Sequence, residues 1–92
     1  MRKVITLCGS YKFEKEIIES YKRLTEEGNI VLFPAMGCDK HEKEYYMNLH
    51  FDKIALSDAI YVVNVNGYIG ESVKQEIKTA KKYGVEILYL ED

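Results

Sequence analysis

Val4-Ile5-Thr6-Leu7-Cys8-Gly9-Ser10 is a run of five β-favouring residues that stops abruptly at a glycine and a serine. A continuous run of this kind suits a strand buried on both faces, as in a parallel sheet. From Phe13 the period changes. Phe13, Ile17, Tyr21 and Leu24 recur at helical spacing with Ile18 beside them, Glu14, Glu16, Lys22 and Arg23 lie opposite, and Gly28 stops the helix. A buried strand that turns directly into an amphipathic helix is the opening of a strand–helix–strand unit.

The rest of the sequence continues that alternation. Asn29 to Phe33 reads as a second strand closed by Pro34, the single proline. A loop through Gly37 and Asp39 leads to a helix from about His41 to Leu56, with Tyr45, Leu49 and Leu56 expected to face inward. Asp58 to Val63 is a third strand, and Asn64 to Gly70 a glycine-punctuated loop. Ser72 to Tyr83 is a third helix, ended by Gly84, and Val85 to Leu90 a last strand. The order β-α-β-α-β-α-β implies parallel strands joined by right-handed crossovers. The expectation is one α/β domain over residues 1–92, doubly wound in the flavodoxin or Rossmann manner. It has a four-stranded parallel sheet in the order 2-1-3-4 and helices on both faces.

In such sheets the ligand crevice lies outside the carboxyl ends of the strands, where the strand order reverses. Here that point falls between the first and third strands. The loops leaving them are Gly9-Ser10-Tyr11-Lys12 and Asn64 to Glu71. Asp58 opens its strand at the opposite end, which favours a structural role.

Composition narrows the classes of partner. The 92 residues carry a formal charge of −2, with charges of both signs interspersed. A chain of this size buries only about 60–65% of its unfolded surface, so a thin core and a homodimer or higher homo-oligomer are expected. Lys78, Lys81 and Lys82 alternate with Glu76 and Glu86, which marks a solvated helix face and no nucleic-acid stripe. Two cysteines are too few for a disulfide framework, and neither has metal-ligand spacing; Cys8, in a strand, reads as a buried free thiol. His41, near Cys38, lacks companions for a metal. No metal and no cofactor are expected. No signal peptide is recognisable, and no apolar run approaches the ~18–20 residues that span a bilayer. A cytoplasmic protein without a membrane partner is the expectation.

The two crevice loops carry the chemistry. Gly9 can adopt backbone angles closed to other residues, and Ser10 sets a hydroxyl beside a helix start whose free N–H groups attract phosphate or carboxylate. Ser10 equally suits a plain helix cap. Lys12 adds a mobile positive charge. In the second loop, Ser72-x-x-Gln75 fits a capping box, and Glu76 lies four residues after Ser72 on the same helix stripe. A helix N-terminus favours an ionised carboxylate, which suits Glu76 either as a nucleophile or as a dipole-stabilising surface residue. Tyr11 and Tyr68 stand ready to stack on a base or to cover the core. His50 reads as a packed helix histidine or an acid.

Cys8-Gly9-Ser10, Glu76-Ile77-Lys78-Thr79-Ala80 and the stretch His50-x-x-Lys53-Ile54 through Ser57-Asp58 to Gly67-Tyr68-Ile69-Gly70-Glu71-Ser72 together resemble the nucleoside 2-deoxyribosyltransferase-like superfamily. The likeness is closest to its deoxynucleoside 5′-monophosphate N-glycosidase branch and to small bacterial and phage-associated relatives. The resemblance implies that Glu76 attacks the anomeric carbon of a deoxyribose and forms a covalent glycosyl-enzyme, by a double displacement like that of retaining glycosidases. It implies that Ser10 contacts the 5′-phosphate and that Lys12 stands where the branch has an arginine. An assisting aspartate aligns with His50, with Asp52 within one helical shift. Thr6 stands where the superfamily often has tyrosine, and Gly70 where the transferases have a second carboxylate. The implied activity is an N-glycosidase or deoxyribosyltransferase acting on a nucleoside or nucleotide; the alternative is a non-catalytic nucleotide-binding module. Catalysis falls to Glu76, His50 and Asp52, and substrate binding to Gly9, Ser10, Tyr11, Lys12, Tyr68, Gly70 and Ser72.

Overall fold

A computed structural model describes residues 2–92. Four strands, β1 (Val4–Cys8), β2 (Ile30–Leu32), β3 (Ala59–Val62) and β4 (Glu86–Tyr89), form one sheet in the order β2-β1-β3-β4. Every pairing is parallel: Ile5 lies against Val31 and Ala59, and Tyr61 against Leu88. Between them run α1 (Glu14–Glu26), α2 (Lys43–Ala55) and α3 (Glu71–Lys82). This is the doubly wound α/β architecture that the alternation of periods predicts.

Because successive strand residues point to opposite faces, β1 and β3 divide the core in two. Ile5, Leu7, Ala59, Tyr61 and Val63 meet Ile17 and Leu24 of α1 on one face. Cys8, Ile60 and Val62 meet Ile54 of α2 and Val73 and Ala80 of α3 on the other. Thr6 belongs to this second face by the same alternation. Its hydroxyl lies 2.6 Å from Ser57 Oγ and 3.3 Å from the Lys53 carbonyl, fastening the end of α2 to the central strand. Lys53 Nζ donates to the Phe33 carbonyl at 2.6 Å, fixing the same helix to the end of β2. At the amino ends of the strands, Asp58 Oδ2 accepts from the Val4 N–H at 2.8 Å, which is the structural role expected of it.

Two helix faces differ from the sequence reading. In α1 the buried residues are Ile17, Ser20 and Leu24, and Tyr21 is 40% exposed. Small Ser20 permits close approach to the sheet, while Tyr21 turns its ring edge-on to Phe33, at a centroid distance of 5.2 Å. In α2 the expected inward residues Tyr45, Leu49 and Leu56 are all exposed. The inward stripe instead runs through Tyr46, Met47, His50 and Ile54, the last two buried. A rotation of about one residue, roughly 100° at 3.6 residues per turn, separates the two readings. Its consequence is functional: it carries His50 inside.

Candidate functional site

A cavity of about 690 Å³ opens at the carboxyl ends of the strands. Its lining includes Gly9, Ser10 and Tyr11 after β1, Pro34 and Ala35 after β2, and Tyr68 to Val73 at the start of α3, except Ile69. His50 and Glu76 also line it. This is the place that the strand-order reversal between β1 and β3 singles out.

Glycine at position 9 is favoured by close packing and not by backbone freedom. The structure gives it no left-handed φ; a Cβ there would lie 3.2 Å from both Ile17 Cδ1 and Val63 Cβ. Gly9 therefore lets the chain leave β1 between the core and the cavity. Ser10 next caps a single 3-10 turn, Tyr11–Phe13, its Oγ accepting from the Lys12 N–H at 3.4 Å. The α-helix begins only afterwards, with Glu14 and Glu16 in its first turn, so the anion-attracting helix start expected beside Ser10 is displaced and flanked by negative charge. Ser10 still lines the cavity, with its hydroxyl engaged in the turn.

The start of α3 is the better anion cradle. Its N-cap is Gly70, without a side-chain cap, so the expected capping box from Ser72 does not form; the helix starts two residues earlier than that box requires. The first-turn N–H groups thus lack a side-chain acceptor, and Gly70, Glu71, Ser72 and Val73 all face the cavity. Glu76 then falls in the second turn, where the helix dipole is weaker than a first-turn position would have. Ser72 and Glu76 share one stripe lining the cavity, as their spacing implies.

Of the two candidate acids, only His50 enters the site. His50 Nε2 lies 3.3 Å from Glu76 Oε1, and the two side chains are 7% and 13% exposed. Asp52 is exposed, two residues along α2 and therefore on the opposite side of the helix, and it does not line the cavity. Lys12 is also outside the lining. Its Nζ sits 3.4 Å above the ring of Tyr68, which meets Phe13 edge-on at 5.7 Å. Tyr68 thus has one face occupied by a cation, while Tyr11 is tied by its hydroxyl to the Ala35 carbonyl at 3.1 Å. Both tyrosines form the rim.

Sequence reasoning missed Cys8 as a member of this cluster. Its sulfur lies 3.4 Å from His50 Nε2, and the donor atoms of Cys8, His50 and Glu76 fall within 4.8 Å of one another. Burial, reinforced by the Glu76 carboxylate, pushes the Cys8 thiol well above its usual range and keeps it neutral. The signal was the alternation along β1, which sends Cys8 to the face that α2 and α3 cover. Asn64 was missed as well: it is buried and exchanges two hydrogen bonds with the Glu91 backbone, at 2.9 and 3.0 Å, holding the loop after β3 to the chain beyond β4.

Residues 6–89 match the family described as "Domain of unknown function (DUF4406)". The chain belongs to this family. Both crevice loops and the cluster of Cys8, His50 and Glu76 lie within the matched span, so the DUF4406 domain contains the whole candidate site. No curated protein matches the chain. Among the described residues, no helix is long and apolar enough to cross a membrane.

Proposed function

We propose that this DUF4406 chain is an N-glycosidase or deoxyribosyltransferase-like enzyme acting on a deoxynucleoside or its 5′-monophosphate, with Glu76 as nucleophile. The observation that carries the reading is the meeting of Glu76 and His50 at 3.3 Å on the wall of a cavity that also receives the uncapped start of α3. A carboxylate held beside a proton-bearing ring, next to free backbone donors, is the equipment of a double displacement on a sugar. The proposal includes a cytoplasmic homodimer that acts on a small molecule.

In the first step a Glu76 oxygen forms a bond to the anomeric carbon as the carbon–nitrogen bond to the base breaks. The bonding pair leaves with the base, and His50, in its protonated form, supplies the proton that the departing nitrogen needs. In the second step water or another base attacks the same carbon as the ester bond to Glu76 breaks. Glu76 leaves as the carboxylate, and His50, deprotonated in the first step, takes the proton that the attacking group loses. A 5′-phosphate would find its donors at the N–H groups of Glu71 and Ser72, with Ser10 across the cavity. Lys12 can join only by leaving the Tyr68 ring. Gly70 brings no second carboxylate, so His50 alone of the proposed catalytic partners stands beside the nucleophile.

The test is a panel of deoxynucleosides and their 5′-monophosphates incubated with the intact chain, with free base measured by chromatography. Release from at least one member, faster for the monophosphate than for its nucleoside, is the expected result. Nucleotide binding by calorimetry without release from any member would leave a binding module of the same fold.

A further inference from the structure

The cluster of Cys8, His50 and Glu76 does more than place a nucleophile. We propose that these three side chains form a site for a thiophilic divalent cation of the Zn²⁺ class, with the fourth coordination position turned toward the cavity. The inference needs only the donor set, and it does not rest on the glycosidase reading.

Three elements converge to make it. Cys8 ends β1 and is fully buried, His50 comes from the middle of α2, and Glu76 from the second turn of α3. Zinc binds thiolate at about 2.3 Å, imidazole nitrogen at about 2.0–2.1 Å and carboxylate oxygen at about 2.0–2.2 Å in tetrahedral sites. A tetrahedral angle between such bonds puts sulfur and nitrogen about 3.5 Å apart, and nitrogen and oxygen about 3.3 Å apart. The structure has 3.4 Å from Cys8 Sγ to His50 Nε2 and 3.3 Å from His50 Nε2 to Glu76 Oε1. Two edges of the tetrahedron are therefore in place without movement of the backbone.

A second observation is independent of those distances. Glu76 Oε1 and His50 Nδ1 are buried and have no hydrogen-bond partner among the described residues. The 3.3 Å approach of Glu76 to His50 is thus a close contact without hydrogen-bond alignment. A buried carboxylate oxygen left without a donor carries an uncompensated desolvation cost, and a cation removes that cost. Thiolate, imidazole and carboxylate together suit zinc or cobalt and not magnesium or calcium, which take oxygen ligands.

On binding, the Cys8 S–H bond gives its proton to solvent as the metal–sulfur bond forms, and the metal does not change oxidation state. Occupancy would also engage the Glu76 carboxylate, so the cation acts on any chemistry of that residue as a reversible block.

Cobalt titration of the full chain tests the proposal by absorption spectroscopy. The expected result is one Co²⁺ per chain, with the intense visible bands of tetrahedral cobalt, a thiolate-to-cobalt charge-transfer band, and displacement of both by Zn²⁺. Cys38, exposed at the cavity rim near Asp39 and His41, is the control. Cys8→Ala should abolish the charge-transfer band and Cys38→Ala should leave it unchanged. If Cys8→Ala does not fold, His50→Gln, which retains the thiol, should lose the tetrahedral pattern. Absence of binding, an octahedral spectrum, or a charge-transfer band that follows Cys38 in place of Cys8 would overturn the site. None of these readouts depends on base release, so the metal site and the glycosidase reading fail separately.

Discussion

Glu76→Gln should lower base release by about 10³-fold or more while leaving the fold and nucleotide affinity close to those of the unmodified chain. Gln keeps the length and shape of the side chain but cannot form the covalent ester with the anomeric carbon. The stability side follows from the surroundings. Glu76 Oε1 is already without a hydrogen-bond partner, and Gln keeps a side-chain oxygen that can still accept from the Cys8 thiol while relieving it of a neighbouring negative charge. Affinity should persist because the donors for phosphate belong to the backbone at the start of α3 and not to Glu76. The checks are initial rates on the best substrate of the panel, calorimetric affinity and thermal melting. A Glu76→Gln protein that releases base at the unmodified rate would move the chemistry to another residue.

The largest effect on stability is expected from Ile54→Ala. Ile54 is fully buried between α2 and the sheet, in the cluster with Ile60, Val62 and Val73. Deleting a buried isoleucine to alanine costs about 2–5 kcal/mol, because transfer free energy is lost and a cavity remains. The whole stability of a chain this long is about 5–14 kcal/mol, so the loss is a large share of it. The melting temperature should fall by roughly 10 °C or more. Ile54 stands one helical turn from His50, so loosened docking of α2 should also weaken ligand binding. An exposed residue of the same helix provides the contrast: Leu49→Ala, at 41% exposure, should shift the melting temperature far less. Equal effects of the two substitutions, seen by thermal denaturation, would mean that α2 docks through its other face.

Strand order and the place of the cavity were legible because both follow from local signals. Val4 to Cys8 is too short and too continuous to be a helix, and the glycines at 9, 28 and 84 mark changes of element. The face of α2 was not legible. Tyrosines occur on both sides of that helix, at 45 and 46, and the stripe that turns inward contains a histidine and has the half-buried Lys53 beside it. Periodicity weighs hydrophobicity, but α2 is held by polar ties as well, Lys53 to the Phe33 carbonyl and Thr6 to Lys53.

Within the site, Glu76 and Ser72 could be paired from spacing alone because one helix holds both. The capping box failed for a short-range reason. Gly70, an extended residue with φ −76° and ψ 171°, already occupies the cap, and Ser72 is left inside the first turn. The choice between His50 and Asp52 needed the rotation of α2, which no local pattern supplies. The membership of Cys8 needed that same rotation and the assignment of α2 and α3 to one face of the sheet. Contacts across 42 residues of chain, such as Cys8 to His50, arise from tertiary packing.

The central claim is that Glu76 forms a bond to the sugar, and a covalent trap tests it most directly. A deoxynucleoside substrate carrying fluorine at the sugar 2-position destabilises the oxocarbenium-like transition states, so a glycosyl-enzyme that forms should persist. After incubation, proteolysis and mass spectrometry, one fluorinated sugar should be found on the peptide containing Glu76, at that residue, and none on Glu76→Gln protein. Base release from the ordinary substrate with no sugar on Glu76, or with the sugar attached elsewhere, would contradict the account.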